Sequence, residues 1–399
     1  MTTPLRLVIA PSGFKESLSA EAVADAIATG VRRVAPTALL DTVPLVDGGE
    51  GSARTLAEST GGKLVPVTVT GPVSAPVTAP LALLGGPGPR TAVVEMAAAA
   101  GLRLVPADQR DPGRTTTYGV GELIRSALDL GCARILIGCG DSGTCDGGAG
   151  ALTALGARIT GRNGSPLPLG GYALKDATAL DTSRLDPRLR DTELIVACNP
   201  CNVLTGDCGV ATVFGPQKGA TPAQVDALAA AMSRWADLLE TSSGLDLRLA
   251  PGSGASGGLG AGLAGALGAK LRSRFEVLLD QFDLNARISA ADLVITAEGT
   301  IDAQTVRGKV PGEVARLAKR HHVPVIALAG TIGAGAETTR SAGIDAFSGI
   351  LATPSTLADA IRDADALLTD ATERALRLIM VGTHLTPAAE HADARGLPA

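Results

Sequence analysis

Residues 133–156 set the tightest limit on how this chain can fold. They read ARILIGCGDSGTCDGGAGALTALG. The apolar run Ile135, Leu136 and Ile137 predicts a buried parallel strand. The glycines Gly138, Gly140, Gly143, Gly147 and Gly148 follow, interleaved with Asp141, Ser142, Thr144 and Asp146. An Ala/Leu-rich segment over 149–155 then predicts a helix. Strand, glycine-rich turn and helix is how α/β proteins cradle phosphate, with backbone N–H groups and a helix N-terminus facing the anion. Glycine serves where a side chain would block close approach or where φ must be positive.

Gly138, Gly140 and Gly143 also spell G-x-G-x-x-G after a strand. A dinucleotide site would need an acidic residue roughly 20 positions on, to hold a ribose hydroxyl. None stands near 160–165, and the next acid is Asp176. Asp141 and Asp146 inside the loop would also repel a pyrophosphate unless a cation lay between them. Acids, hydroxyls and glycines together suit a Mg²⁺-nucleotide or phosphoryl-transfer site better. The competing structural reading is a tight turn filled with small residues.

The chain has 399 residues, 45% hydrophobic and 19% charged, enough for two domains or one with a large insert. Fifty glycines and 2% aromatics imply Ala, Leu and Val packing and many tight turns. A net charge of −5 with no basic block argues against nucleic acid. The N-terminus enters a strand at 5–10 rather than a signal peptide, and no unbroken run of 18 apolar residues suggests a membrane span. The cysteines are Cys132, Cys139, Cys145, Cys198, Cys201 and Cys208. The pair Cys198/Cys201 lacks a second zinc half-site and the context of a redox motif, so reduced thiols in a cytoplasmic protein are expected.

In chain order, strand 5–10 leads into a turn carrying Phe14, Lys15, Glu16 and Ser17, then a helix from Ser19 to about Arg33. Strand 41–45 leads into Asp47, Gly48, Gly49, Glu50 and Gly51, then helix 53–59. Alternating segments at 64–70, 77–84 and 91–96 predict antiparallel or mixed strands. Thr115, Thr116 and Thr117 should cap a helix running to Leu130. Strand 193–197 precedes the cysteine loop, and a helix over 221–239 turns Val225, Leu228, Met232 and Trp235 to one side, with Trp235 expected in the core. Residues 252–260 form a second glycine-rich loop before a helix. Strands at 292–296, 323–328 and 344–349 and a helix at 357–379 restore the parallel pattern. The predicted fold is α/β in two domains. A parallel-sheet domain spans 1–62 and 288–380, an insert with a mixed sheet spans 63–287, and a loosely ordered tail spans 381–399. The acid-and-glycine turns all fall at strand ends and are expected to share one cleft.

This pattern resembles the first class of bacterial glycerate kinases over roughly residues 5–375. The resemblance rests on Phe14 to Ser19, Asp47 to Gly51, Thr115 to Gly119, Asp146 to Gly150, Phe214 to Ala220, Gly257 to Gly260, and Glu298 with Gly299 and Asp302 to Thr305. It implies a flavodoxin-like domain interrupted by an α/β insert. It also implies transfer of phosphate from ATP, with Mg²⁺, to D-glycerate, usually giving 2-phosphoglycerate. Asp47 or Asp302 would then take the acceptor proton, and Lys15 would act with them. Lys15, Lys218 and Lys309 would neutralise phosphoryl charge. Gly138, Gly140, Ser142, Thr144, Gly147, Gly148, Gly257 and Gly258 would hold nucleotide phosphates. Asp141, Asp146 and Glu298 would hold the metal. Ser17, Gly48, Gly49, Glu50, Arg114, Thr116, Asn202, Thr300 and Gln304 would line the acceptor site.

The chain departs from the family pattern at several places. Ser12 and Gly13 stand where the family has Asp-Ser, Cys145 where it has Asn, and Thr300 where it has Arg. The stretch Cys198 to Asn202 lacks two carboxylates. Loss of the arginine removes a clamp for a carboxylate, and Arg114 is the expected replacement. These changes bear on the acceptor, which could be another small polyol, hydroxy acid or cyclitol. A catalytically inactive metabolite-binding homologue is the alternative from another class. The expected partners are ATP and a small acceptor, with no nucleic acid and no membrane; a homodimer is allowed.

Overall fold

The structure is a computed structural model that describes residues 4–14 and 17–382. It divides into two compact units, 1–45 with 283–399, and 46–282. The first unit carries β1 (Arg6–Ile9) and β2 (Leu39–Thr42). The second carries β3 (Lys63–Thr70), β4 (Pro76–Leu83), β5 (Thr91–Glu95), β6 (Arg134–Gly138), β7 (Arg158–Gly161), β8 (Ala177–Asp181), β9 (Glu193–Cys198) and β10 (Lys270–Ser273). The chain then returns to the first unit with β11 (Leu293–Ile301), β12 (Val325–Ile332) and β13 (Ala346–Gly349).

The first unit is a parallel sheet in the order β13-β12-β11-β1-β2. Counted within that unit this is the flavodoxin order 2-1-3-4-5, whose switch point lies between the first and third strands. Here those strands are β1 and β11. The turn after β1 stays against β11: Ser12 donates its amide (2.9 Å) and its hydroxyl (3.1 Å) to the Ala297 carbonyl. Helix Ala20–Val34 follows β1 and is capped by the Ser19 hydroxyl, which accepts from the Ala22 amide at 3.2 Å. Its buried face meets the C-terminal helix Ala364–Gly382. A Cβ on Gly30 would lie 2.5 Å from the Thr369 carbonyl oxygen, so glycine sets how closely those helices pack.

The second unit has a six-stranded sheet, β10-β9-β6-β5-β4-β3. β3, β4 and β5 pair antiparallel and the rest parallel, the mixed arrangement that the alternating segments predict. A separate β7–β8 hairpin stands beside it. Ile135 and Ile137 are fully buried in β6, each contributing roughly 1.5–3 kcal/mol of burial. Trp235 is fully buried too, and its indole N–H donates to the Gly147 carbonyl at 2.9 Å. It belongs to the core, as its place on helix Pro222–Ser243 predicts.

The units divide at 45/46 and 282/283, not at the expected 62/63 and 287/288. The reason is backbone packing. A Cβ on Gly138 would lie 2.8 Å from the Gly48 carbonyl oxygen, so the loop after β2 sits on the turn after β6 and carries helix Ser52–Ser59 with it. The expected C-terminal helix is two, Leu357–Arg362 and Ala364–Gly382. The tail from 383 and the residues Lys15 and Glu16 lie outside the described residues. Among the described residues no helix is long and apolar enough to cross a membrane, and all six cysteines are free thiols.

Candidate active site

The predicted site residues fall into two groups, one on each unit. In the second unit they gather at the C-terminal ends of β5 and β6, the edge that carries ligands in open α/β sheets. Asp47 begins the loop there. Its carboxylate accepts from the Gly49 amide at 3.0 Å and from Arg274 at 3.2 Å. The same guanidinium nitrogen donates to the Asp47 carbonyl at 3.1 Å. Arg274 opens helix Arg274–Leu279 and stacks over the Phe275 ring, 4.9 Å to its centroid. Sequence reading missed it, because nothing local to a Lys/Arg-rich strand end marks one arginine as the partner of a residue 227 positions away.

Close backbone approach builds this edge. A Cβ on Gly140 would lie 2.7 Å from the Gly49 Cα, and one on Gly49 would lie among the Asp141 carboxylate atoms. Asp141 is exposed, has φ 45°, and accepts from the Glu50 amide at 3.2 Å. Glu50 in turn pairs with Arg103 at 2.8 Å. Asp47, Glu50, Gly140, Asp141 and Ser142 therefore share one surface, with Gly48, Gly49 and Gly138 buried beneath it, and Ser142 is only half-buried.

The rest of the glycine loop does not form an open cradle. Gly147, Gly148, Gly257 and Gly258 are buried against one another and against Trp235 and Leu259. A Cβ on Gly258 would lie 2.9 Å from the Gly147 Cα, and one on Gly147 would lie 2.5 Å from the Trp235 ring. Ser256, Gly257 and Gly258 all have left-handed backbone inside helix Ala255–Leu267. These glycines permit backbone to meet backbone.

Asp146 and Lys218 lie inside the same packing. Asp146 is fully buried. Its carboxylate accepts from the Thr117 amide (2.8 Å) and hydroxyl (2.9 Å), the Gly148 and Gly150 amides (3.1 and 3.3 Å) and, more weakly, the Thr116 hydroxyl (3.5 Å). Burial raises its pKa, and the Thr117, Gly148 and Gly150 donors oppose that rise. With those donors around it, the group ties the loop to helix Tyr118–Asp129. Thr117 takes the N-cap position of that helix but spends its hydroxyl on Asp146 and makes no capping bond. Thr116 is buried in the same network and is no surface contact. Lys218 is buried and donates to the Ser142 hydroxyl and the Thr144 carbonyl, both at 2.8 Å. Burial pushes its pKa down to about 8. It braces the loop from beneath. The Thr144 hydroxyl is buried and has no hydrogen-bond partner among the described residues.

Arg114 and Asn202 stand apart. The Arg114 side chain is 81% exposed and faces Asp111 at 3.3 Å. Asn202 accepts from the Gly254 amide through its backbone carbonyl at 3.1 Å, and the neighbouring Cys201 is exposed.

In the first unit the group lies at the C-terminal end of β11. Lys309 donates to the Thr300 carbonyl at 3.1 Å and faces Asp302 at 3.4 Å and Glu298 at 3.9 Å. All three charged side chains are about three-quarters buried. Asp302 accepts from the Gln304 amide at 2.8 Å, which fixes its rotamer, while Gln304 itself is exposed. Thr300 pairs with Thr331 across the β11–β12 ladder. Ser17 donates to the Ile361 carbonyl at 3.1 Å, a tie to helix Leu357–Arg362.

Known proteins resemble the whole of this arrangement. A family model described as the glycerate kinase family matches residues 7–380. Glycerate kinase of Bacillus subtilis (strain 168) is 46% identical over 360 residues, 90% of this chain and 94% of the relative. Glycerate 2-kinase of Escherichia coli (strain K12) is 44% identical over 360 residues, with the same shares of 90% and 94%. A crystal structure of a candidate glycerate kinase 2 from Salmonella typhimurium LT2 superposes with a TM-score of 0.82 at 44% identity, covering 96% of this chain and all of that one. The chain therefore belongs to the glycerate kinase family and is a phosphotransferase that acts on an alcohol group.

Proposed function

We propose that the protein transfers the γ-phosphoryl group of ATP to a hydroxyl of D-glycerate, giving 2-phosphoglycerate and ADP. The observation that carries this reading is the extent of the family match, which runs over 7–380 and so includes every acid-and-glycine turn described above. The acceptor oxygen attacks the γ-phosphorus, the bond from that phosphorus to the β–γ bridging oxygen breaks, and ADP leaves with the electron pair. The acceptor proton passes to a carboxylate, Asp47 or Asp302. Both are oriented by a backbone amide and face a cation, Arg274 or Lys309. In such a transfer the protein positions the reactants and offsets charge. Lys309 supplies positive charge beside Asp302, and Lys15 is assigned to the same task by resemblance.

Mg²⁺ takes one or two carboxylates and fills its remaining positions with water and phosphate oxygens. Asp141 and Glu298 suit that donor chemistry, and Asp146 does not. When bound, the ion would neutralise charge on the β- and γ-phosphate oxygens. Gly140 and Ser142 are the remaining candidates for contact with phosphate or acceptor, since the amides of 48–50 already donate to Ser52, Asp47 and Asp141. The protein is assigned to the cytoplasm.

The test is steady-state ADP release with D-glycerate, L-glycerate, glycerol, erythronate and a cyclitol, with the product position read by phosphorus NMR. D-Glycerate should give the highest kcat/KM, with phosphate on C2. A better acceptor among the others would replace glycerate in this reading, and no turnover on any of them would end it.

A further inference from the structure

Glu95 is the last residue of β5, and its side chain is only 3% exposed. It pairs in register with Gly138 of β6, so it lies beneath the edge that carries Asp47 and Asp141. Its carboxylate accepts from the Ala53 amide at 3.1 Å, and the Gly51 amide faces it as well. These amides belong to the start of helix Ser52–Ser59. The N-cap of that helix is Gly51, at φ 87°, which has no side chain to cap with. The first-turn donors that a helix leaves without internal partners are thus taken by a carboxylate from another element. The Ser52 hydroxyl, held by the same turn, accepts from the Gly48 amide at 3.1 Å. Residues 47–51 are therefore anchored from below by Glu95 and from the side by Asp141 and Arg274.

We propose that Glu95 is the positioning residue of the Asp47 loop: as a carboxylate it binds the first-turn amides of helix Ser52–Ser59 and so fixes residues 47–51 in the conformation that presents Asp47. The consequence for turnover rests on the reading of Asp47 given above; the consequence for the loop does not. The charge suits the place, because a helix N-terminus favours an anion. The place does not suit the charge, because burial raises the Glu95 pKa to about 7, against the pull of the Ala53 and Gly51 amides. The charged groups on the elements around it are Glu50 and Arg103, paired at 2.8 Å, Arg54 and Glu58 on the outer face of the helix, at 3.8 Å, Asp141, Glu122, Arg125 and Asp129 on helix Tyr118–Asp129, and Arg134 on β6. The Glu50–Arg103 pair largely cancels itself, with Glu50 raising and Arg103 lowering the Glu95 pKa. Because burial lifts the Glu95 pKa above its ordinary value of 4.5, lifting the loop and hydrating Glu95 releases a proton between 4.5 and about 7; the loop's hold therefore weakens as pH rises through that window and is constant above it.

The inference is tested on the full chain with Glu95→Gln, which keeps shape and removes the charge, and Glu95→Asp, which keeps the charge and shortens the reach. Amide exchange over residues 48–53, corrected for intrinsic rates, is measured from pH 6 to 8.5 without substrate. Wild type should show protection that falls toward pH 7 and then levels off. Glu95→Gln should not vary with pH, and Glu95→Asp, too short to reach both amides, should be less protected at every pH. With ATP and D-glycerate, Glu95→Asp should lose ~10-fold to 100-fold in kcat at pH 8 with KM changed less, the scale of a small misplacement. A purely packing role predicts a lower Tm for Glu95→Gln at pH 8; the inference predicts a Tm equal to or above wild type. Equal and pH-independent protection in wild type and Glu95→Gln would overturn it. If protection follows Glu95 but Asp47→Asn keeps full turnover, the anchor stands and the role given to Asp47 falls.

Discussion

One guanidinium nitrogen of Arg274 donates to both the carboxylate and the backbone carbonyl of Asp47, at 3.2 and 3.1 Å. Holding both ends of one residue fixes the side chain relative to its own backbone. The Arg274 side chain is 13% exposed but that of Asp47 is 42% exposed, so these bonds are partly screened and their contribution lies toward the low end of the range for charged groups. A hydrogen bond to a charged group contributes ~1.5–3 kcal/mol, which corresponds to about tenfold to a hundredfold in an equilibrium. Arg274→Ala is expected to lower kcat/KM by that factor while circular dichroism stays native. Arg274→Lys should recover part of the loss, since both bonds come from a single nitrogen. Full activity in Arg274→Ala would remove Asp47 and Arg274 from the reaction together.

The fold was legible in this sequence because its signals are local. β6, helix Ala149–Ala154, β1 and helix Ala20–Val34 each announce themselves by an apolar run or a capped amphipathic period. The mixed strands β3, β4 and β5 lie within a residue of where alternation predicts them. The site was legible only as a set of turns. Acid, hydroxyl and glycine at 138–148 look alike whether they face an anion or each other. Gly147 and Gly258 face each other, and Asp146 faces Thr117, because the partners arrive from distant segments. Glu95 and Arg274 carried no signal, since their partners are backbone amides and a carboxylate supplied by a loop far away in sequence.

Arg114 was expected to replace the family arginine absent at Thr300. Its side chain is 81% exposed and tied to Asp111. An exposed ion pair contributes ~0–1 kcal/mol. Arg114→Ala should therefore change KM for D-glycerate by less than about twofold, with kcat unaltered. A tenfold rise in KM would return Arg114 to the acceptor site.

Lys218 gives a pH dependence whose sign follows from burial. Burial pushes its amine down to about 8 in the folded chain, against 10.5 for an exposed lysine in the unfolded chain. Between those values the unfolded chain keeps a proton that the folded chain has lost, so stability from this group rises as pH climbs from 8 to 10.5. Below 8 both states are charged, and burying the charge costs about 3 kcal/mol. Lys218→Met removes that cost but leaves Ser142 and Thr144 without their donor at every pH. The Tm of Lys218→Met minus that of wild type should therefore become more negative between pH 7 and 9.5. A difference that stays constant over that range would mean that Lys218 is not buried in its charged form.

Asp146 and Asp141 lie in one loop and should answer the same substitution in opposite ways. Asp146 is fully buried, and its carboxylate meets only donors: the amides of Thr117, Gly148 and Gly150 and the hydroxyls of Thr116 and Thr117. Asn at this position would turn an NH₂ group toward N–H and O–H donors and leave at least one of them unsatisfied. Each such loss costs ~1–3 kcal/mol, more for a charged acceptor. Asp146→Asn should thus lower Tm by several degrees, and the protein that remains folded should need no more Mg²⁺ than wild type for half-maximal rate. Asp141 is exposed, and its carboxylate accepts from the Glu50 amide. The oxygen of Asn can keep that bond while the negative charge is lost. Asp141→Asn should leave Tm within about a degree and raise the Mg²⁺ needed for half-maximal rate severalfold. Titrating Mg²⁺ at saturating ATP and D-glycerate, beside thermal melts of both variants, separates the two roles. If Asp146→Asn melts like wild type and shifts the Mg²⁺ requirement, the buried carboxylate is a ligand after all, and the loop must open for it to bind.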